Sequence, residues 1–159
     1  MRPLPLALPP ALLLSLPFAL SACADPAPLY VDQAWISASS DVTKQPSAGY
    51  LVIHGGETDS QLRAVQADTA QRIEMHDSVM AGGMMTMKSL DSVDVPAKSS
   101  VAFAPGGRHL MIFGLNPGAV KMGKTQLTLT FSNGDRIIVD AVIRKQGEAP
   151  PSAPEHGNH

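Results

Sequence analysis

Apolar and polar residues alternate along most of this chain, in short runs separated by Gly, Asp, Ser and Thr. Alternation of this kind is typical of strands that bury one face. It predicts strands at 31–37, 49–54, 61–66, 71–76, 84–90, 125–131 and 136–142. No long segment has the 3.6-residue period of a helix, so we expect an all-β fold, either a sandwich or a Greek-key barrel.

The last two predicted strands are joined by Asn133-Gly134, a strong hairpin turn. Alternate residues of a strand share a face, so each arm presents three apolar side chains on one side. These side chains are Leu127, Leu129 and Phe131 on the first arm and Ile137, Val139 and Ala141 on the second. We expect the two sets to pack beside each other as scaffold.

A second group of predicted strands carries candidate metal ligands. One strand is predicted to end at His76, the next contains Met87, and Gly82-Gly83 lies in the loop between them. If these strands form hairpin arms, His76 and Met87 approach each other, although the register is not fixed by the sequence.

Farther along, the turn sequence Pro105-Gly106-Gly107 leads into an apolar strand that includes His109 and Met111. Alternation places these two side chains on one face, and Leu110 and Ile112 on the other. One face of this strand therefore offers a pair of candidate metal ligands.

Five of the eight methionines lie between 80 and 111, at positions 80, 84, 85, 87 and 111. Thioether sulfur is a soft ligand that suits Cu(I), whereas Mg and Ca take oxygen ligands. Imidazole binds metal in its neutral form, so copper affinity is expected to fall below about pH 6.5. We expect Met80, Met84 and Met85 to form a sulfur-rich rim through which copper enters the site, although Met84 is equally consistent with a core position.

Methionine is also an adaptable core residue, and any one of these side chains is more often packing than a ligand. A metal-free β-sandwich interaction module therefore remains an alternative at this point. It predicts that the purified domain retains no Cu(I) against a competing chelator.

The combined spacing resembles a known family. His76 is followed by ten residues and Met87, then by twenty-one residues and His109, and Met111 follows after one more. This pattern is that of the PCuAC family of periplasmic copper chaperones. The segments 47–53, 74–76, 105–111 and 127–131 are also similar to that family, so the resemblance covers roughly residues 29–143.

The resemblance implies a cupredoxin-like β-barrel that binds one Cu(I) through His76, Met87, His109 and Met111. It further implies delivery of copper during assembly of the Cu(A) centre of cytochrome c oxidase. The implied partners are oxidase subunit II or a thioredoxin-like copper chaperone of oxidase assembly. His54 stands where relatives are expected to carry a small polar residue, so its role is open. A copper-buffering or resistance protein without a dedicated acceptor is the main alternative.

Residues 1–24 have the features of a secretory signal, with Arg2 before a largely apolar segment and small residues at its end. Prolines at 9, 10 and 17 argue against a membrane-spanning helix. Leu20-Ser21-Ala22-Cys23 resembles a bacterial lipobox, which would place a lipid on Cys23 and anchor the protein to a membrane in the cell envelope. The alternative is cleavage after Ala24, which releases a soluble periplasmic protein.

The one cysteine of the chain is Cys23, so residues 25–145, the expected copper-binding domain, contain no thiolate ligand and no disulfide. This excludes a blue-copper carrier, which needs a Cys ligand, and a cysteine nucleophile. Asp91 and Asp94 are better explained as a solvated loop than as an acid–base pair. We therefore expect a binding protein and not an enzyme.

The net charge and the C-terminal segment add little to the prediction of function. The chain has 12 basic and 14 acidic residues, with no basic run, so nucleic-acid binding is not expected. Residues 146–159 are polar and rich in proline, which predicts a flexible tail. His156 and His159 offer a secondary Cu(II) site, although two histidines in such a tail are more often incidental.

Overall fold

The structure, a computed structural model, describes residues 27–151. The predicted signal segment with Cys23, and the tail histidines His156 and His159, lie outside the described residues. Over residues 27–151, no helix combines the length and the apolar character needed to cross a membrane.

This part of the chain contains ten strands and one short helix, which confirms the predicted all-β class. The strands are β1 (Tyr30–Ala38), β2 (Ser47–His54), β3 (Ser60–Gln66), β4 (Arg72–Ala81), β5 (Met84–Leu90), β6 (Val93–Val95), β7 (Ser100–Phe103), β8 (His109–Phe113), β9 (Lys124–Phe131) and β10 (Arg136–Lys145). The helix α1 (Pro117–Met122) lies between β8 and β9.

The strands are joined along one hydrogen-bonded path in the order β5-β4-β8-β2-β1-β10-β9-β3-β6, with β7 also paired to β2. β1 and β10 are parallel, and the other pairs are antiparallel. β2 pairs with β8 through Ser47–Gly49 and with β7 through Leu51–His54. The path ends at β5 and β6, so the sheet forms an open sandwich, and β5 is an edge strand.

The core is built from the inward-facing residues of these strands. β2 alternates strictly between buried and half-buried positions, as expected for a strand with one face in the core. The largest fully buried side chains are Ile36, Leu51, Ile53, Leu62, Leu110, Ile112, Leu115, Leu127, Leu129 and Val95. Burial of one such aliphatic side chain stabilises the fold by about 1.5–3 kcal/mol, so these positions hold the strands in place.

The predicted scaffold hairpin is confirmed. Leu129 pairs with Ile137, and Leu127 pairs with Val139, so the two apolar faces lie side by side. Gly134 in the turn has φ of 91°, a conformation that favours glycine.

The structure corrects three of the sequence predictions. β4 does not end at His76 but continues to Ala81, because β5 pairs with it along its whole outer half. β6 and β7 were not expected, since strands of three and four residues are too short to show clear alternation. Asp94 is solvent-exposed as predicted, but it lies on β6 and not in a loop.

The sequence pattern does not predict the short helix α1. The side chain of Asn116 accepts a hydrogen bond from the Gly118 N–H at 2.7 Å, which caps the helix start. Pro117 occupies the first helical turn, and Gly123 ends the helix in the left-handed conformation. These start and stop residues enclose only six helical residues, too few to show a helical period.

Candidate metal centre

The predicted ligands lie on three neighbouring strands at one edge of the sheet. β4 lies between β5 and β8, and it pairs antiparallel with both. On the β8 side, His76 is directly opposite His109, and Glu74 is directly opposite Met111. Because paired residues and alternate residues share a face, His76, His109 and Met111 lie on the same side of the sheet.

On the β5 side, Met87 is directly opposite Ser78. Ser78 is two residues from His76, so Met87 lies on the same face as His76. The structure thus brings all four predicted ligand side chains to one face of the three strands.

The β4–β5 register is set by the turn that joins the strands. Ala81 pairs with Met84, so the connection is the two-residue turn Gly82-Gly83. Both glycines have positive φ, at 59° and 81°. Two positive values are characteristic of a type I′ turn, which matches the twist of a hairpin and favours glycine. These two glycines therefore fix which residues of β5 face His76.

The opposite face of β4 and β8 is anchored in the core. Met75 on β4 and Leu110 and Ile112 on β8 are buried there. His109 and Met111, which alternate with those residues, are half-buried on the outer face. Met87 differs, because it lies on the edge strand and is 61% exposed.

The His76 imidazole is held by a carboxylate. Its Nε2 lies 3.0 Å from Oε2 of Glu74. An ionised carboxylate can only accept, so Nε2 donates the hydrogen and Nδ1 of the neutral ring keeps a lone pair. Nδ1 is buried and, among the described residues, has no hydrogen-bond partner. A buried nitrogen in this state is costly unless a partner such as a metal ion binds to it.

The His109 imidazole is oriented by the backbone. Its Nδ1 lies 3.0 Å from the carbonyl oxygen of Gly107, to which it donates. The same carbonyl accepts a hydrogen bond from the Ser78 N–H at 3.3 Å, which ties the turn before β8 to β4. The neutral His109 ring therefore keeps its lone pair on Nε2. A hydrogen bond from the other ring nitrogen is how metal-binding histidines are commonly oriented.

Glu74 is itself positioned by Arg72, whose Nε donates to Oε1 at 2.7 Å. The Arg72 guanidinium lies over the ring of Phe113, 4.2 Å from its centroid. The hydrogen bond from His76 has the largest effect and lowers the pKa of Glu74. Burial raises this pKa by a smaller amount, and the positive charge of Arg72 adds a further, smaller lowering. Glu74 is therefore ionised and available to accept from His76 at neutral pH.

The donor set defines the metals that the face suits. Within residues 27–151, no group of three or more His, Cys, Asp and Glu side chains is arranged to hold a metal ion. Any site at this face therefore depends on thioethers as well as imidazoles. Two neutral nitrogens and two neutral sulfurs fit a soft monovalent ion such as Cu(I), and they do not fit Mg or Ca.

The expected methionine rim is only partly correct. Met80 pairs with Met85, and both share the face of Met87. Met84 pairs with Ala81 on the opposite face and is exposed there. It belongs neither to the core nor to the rim.

Sequence reasoning missed the two groups that orient the histidines. Glu74 lies two residues before His76, and Gly107 lies two residues before His109. The period-two spacing of Glu74 was available in the sequence, but it does not show that a carboxylate contacts the ring. The role of the Gly107 carbonyl depends on backbone geometry alone.

His54, whose role was open, belongs to a separate cluster. Its Nε2 lies 3.1 Å from Oδ1 of Asp32, its Nδ1 lies 3.0 Å from Oγ of Ser100, and its ring stacks on Tyr30 with centroids 4.2 Å apart. Ala48, which pairs with Met111, is six residues earlier on β2, or about 20 Å along an extended strand. His54 therefore links β1, β2 and β7 away from the candidate centre.

Residues 29–143 match the family model described as "Putative lipoprotein LpqE-like". This match covers more than half of the chain, which therefore belongs to the LpqE-like lipoprotein family. A relative from Leifsonia xyli subsp. xyli, "Putative lipoprotein Lxx21020", is 30% identical over 105 residues, which are 65% of this chain. The matched region spans 62% of that relative's length.

The fold is that of PCuAC domains, which confirms the predicted resemblance at the level of structure. The apo PCuAC domain of PmoF1 is 23% identical, with a TM-score of 0.58 over 77% of this chain and 98% of that domain. The Cu(I) form of DR1885 from Deinococcus radiodurans is 22% identical, with a TM-score of 0.60 over 82% of this chain and 87% of that protein. The copper-bound PCuAC domain of PmoF2 is 16% identical, with a TM-score of 0.55 over 77% of this chain and 99% of that domain.

Proposed function

We propose that this protein is a copper chaperone of the bacterial cell envelope. It binds one Cu(I) through Nδ1 of His76, Nε2 of His109 and the sulfurs of Met87 and Met111. The ion is cargo that the protein passes to an acceptor, and no chemical transformation takes place at the site. The observation that carries this proposal is the buried Nδ1 of His76, which lacks a hydrogen-bond partner on the same face as the other three donors.

The donor atoms favour tight but reversible binding. All four are neutral, so the bound Cu(I) keeps its single positive charge on a partly buried face. Glu74, which accepts from His76, supplies a nearby negative charge without acting as a ligand. Cu(I) is therefore stabilised by soft donors and by electrostatics, while the absence of thiolate leaves it exchangeable.

The burial of the ligands suggests an order of release. His76, His109 and Met111 lie on strands whose other faces are in the core, whereas Met87 lies on an exposed edge strand. Elements with few buried contacts open at the lowest free energy. Met87 is therefore the first ligand to leave. A ligand atom of the copper acceptor can then take the coordination position that Met87 has left.

The comparisons support copper as the cargo, since two of the structural neighbours are described in copper-bound form. We further propose delivery to the Cu(A) centre of cytochrome c oxidase, through subunit II or a thioredoxin-like copper chaperone. The lipoprotein description of the family supports a lipid on Cys23 and a location in the periplasm. In this layout residues 1–24 contain the signal and the lipid-bearing Cys23, residues 25–145 bind Cu(I), and the tail 146–159 carries at most a secondary Cu(II) site.

A Cu(I) competition titration against a colorimetric chelator tests the binding step. Wild type is expected to withdraw one equivalent of Cu(I), and His109→Ala and Met111→Ala are expected to lose it. Met122→Ala is the matched control, because Met122 is an exposed methionine on α1. Cu(II) is titrated in parallel. If wild type withdraws no Cu(I), the chaperone proposal is wrong and the protein is a metal-free module.

Delivery is tested in cells that lack the protein. The proposal expects low cytochrome c oxidase activity in copper-poor medium, restored by wild type and not by His109→Ala. A strain that loses only copper tolerance, with normal oxidase activity, would instead identify a copper-buffering protein.

A further inference from the structure

The outer half of the β4–β5 hairpin carries a pair of methionines that the four-ligand site does not use. Met80 and Met85 are directly opposite each other on the two arms. They are 68% and 60% exposed. Large apolar side chains normally gain free energy by burial, so two exposed thioethers on adjacent strands need a reason other than packing.

The pair is continuous with the candidate copper centre. Met85 lies two residues before Met87 on β5, and Met80 lies two residues after Ser78, the residue opposite Met87. All three methionines therefore share one face, in a row that runs from the hairpin tip towards His76. Directly opposite residues have Cβ atoms about 4.5–5.5 Å apart, and alternate residues of one strand, which share a face, are about 7 Å apart. Flexible methionine side chains can span both separations with one metal ion.

We propose that Met80 and Met85 form a second, weaker Cu(I) site that receives the ion and passes it to Met87. The proposal rests on the proposed copper function and adds an entry route to it. Two thioether sulfurs bind Cu(I) by donating a lone pair each, with solvent completing the coordination. Met87 then replaces one of these sulfurs, and the ion moves on to the imidazoles.

No electron or proton is transferred along this route. Copper remains Cu(I) throughout, thioethers have no proton to lose, and the two imidazoles bind as neutral rings. Each step exchanges one sulfur or nitrogen donor for another. The direction follows from the number of donors, since two sulfurs hold the ion less tightly than two sulfurs and two nitrogens.

The hairpin supplies its own control. Met84 lies at the start of β5 in the same hairpin and is 72% exposed, but it lies on the opposite face and cannot join the row. Met80→Leu/Met85→Leu removes the proposed pair, and Met84→Leu removes an equally exposed thioether. Leucine conserves side-chain volume, so neither variant is expected to disturb the fold.

The first test is an NMR titration of the protein labelled with ¹³C at the methionine methyl groups, with Cu(I) added under anaerobic conditions. The first equivalent is expected to shift the Met87 and Met111 methyls. The second is expected to shift Met80 and Met85, with an affinity weaker by roughly tenfold or more. The methyl resonances of Met84 and Met122 are expected to keep their chemical shifts. In His76→Ala/His109→Ala the Met80 and Met85 shifts are expected to remain.

The second test measures how fast Cu(I) moves from a chelator to the four-ligand site. Met80→Leu/Met85→Leu is expected to slow loading by roughly threefold or more with equilibrium affinity unchanged, because association and dissociation slow together. Met84→Leu is expected to load like wild type. The proposed entry route is overturned by two results together, in a protein whose first equivalent of Cu(I) does shift Met87 and Met111. The second equivalent shifts neither Met80 nor Met85, and the loading rate of the four-ligand site is the same in wild type and both variants. If the first equivalent shifts neither Met87 nor Met111, the proposed copper function itself fails.

Discussion

His76 and His109 lie directly opposite each other on β4 and β8, with ring centroids 6.0 Å apart and ring planes inclined by 37°. They are far apart in the chain, and a shift of one residue in this pairing would turn one ring towards the core. The buried faces of the two strands prevent such a shift, since Met75 pairs with Leu110 beneath the histidines. Core packing therefore places the imidazoles side by side.

The ligands are expected to contribute unequally to Cu(I) affinity. His109→Ala removes a ring fixed by the Gly107 carbonyl and should weaken binding by roughly a hundredfold or more, whereas Met87→Ala removes an exposed ligand and should cost nearer tenfold. Competition with a Cu(I) chelator at fixed pH measures both constants. A larger loss for Met87→Ala than for His109→Ala would contradict the proposed order of ligand release.

Glu74 is expected to act through His76. Glu74→Leu removes the acceptor that fixes the His76 tautomer, and it should weaken Cu(I) binding by about 10–100-fold, the range for residues that orient metal ligands. Glu74→Gln keeps an acceptor oxygen and should restore part of the affinity. The matched control is Glu57→Gln, which alters an exposed ion pair with Lys98. Equal affinities for Glu74→Leu and Glu57→Gln would show that Glu74 does not position the ring.

Substitutions of the turn glycines in the two hairpins are expected to have different effects, one on Cu(I) affinity and the other on thermal stability. Gly83→Val forces a β-branched residue into positive φ at a cost of about 1–2 kcal/mol, which should disturb the position of Met87 and lower Cu(I) affinity. Because β5 is exposed on both faces, Tm should change little. Gly134→Val applies the same strain to the scaffold hairpin and should lower Tm while leaving Cu(I) affinity unchanged. Thermal unfolding and Cu(I) competition on both variants test this; the reverse pattern would count against it.

His54 is expected to matter for stability only. His54→Ala removes the hydrogen bonds to Asp32 and Ser100 and the stacking on Tyr30, and should lower the free energy of unfolding by about 1–3 kcal/mol. Ser100→Ala removes one hydrogen bond and should cost less. Urea unfolding gives these differences. A loss of Cu(I) affinity in His54→Ala, measured where the variant is fully folded, would place His54 in the metal site.

Much of the fold could be predicted because its evidence is local. Alternation in 125–131 and 136–142, with Asn133-Gly134 between them, determines a hairpin whose apolar faces must coincide. Likewise, the alternation of His109, Leu110, Met111 and Ile112 determines which side chains face the core. Such properties follow from the period of the strand and do not depend on distant residues.

The sequence by itself determined the donor types and their spacing, and hence the expectation of a soft metal. Tertiary structure decided the rest, because it depends on which strands become neighbours. The pairing of β4 with β8 and the chain of contacts from Glu74 to His76 join residues through backbone geometry. The Gly82-Gly83 turn decided that Met80 on β4 lies opposite Met85 on β5 and therefore shares the face of Met87. A two-residue turn sets the register between the two arms, and that register determines which residue of β4 lies opposite each thioether of β5.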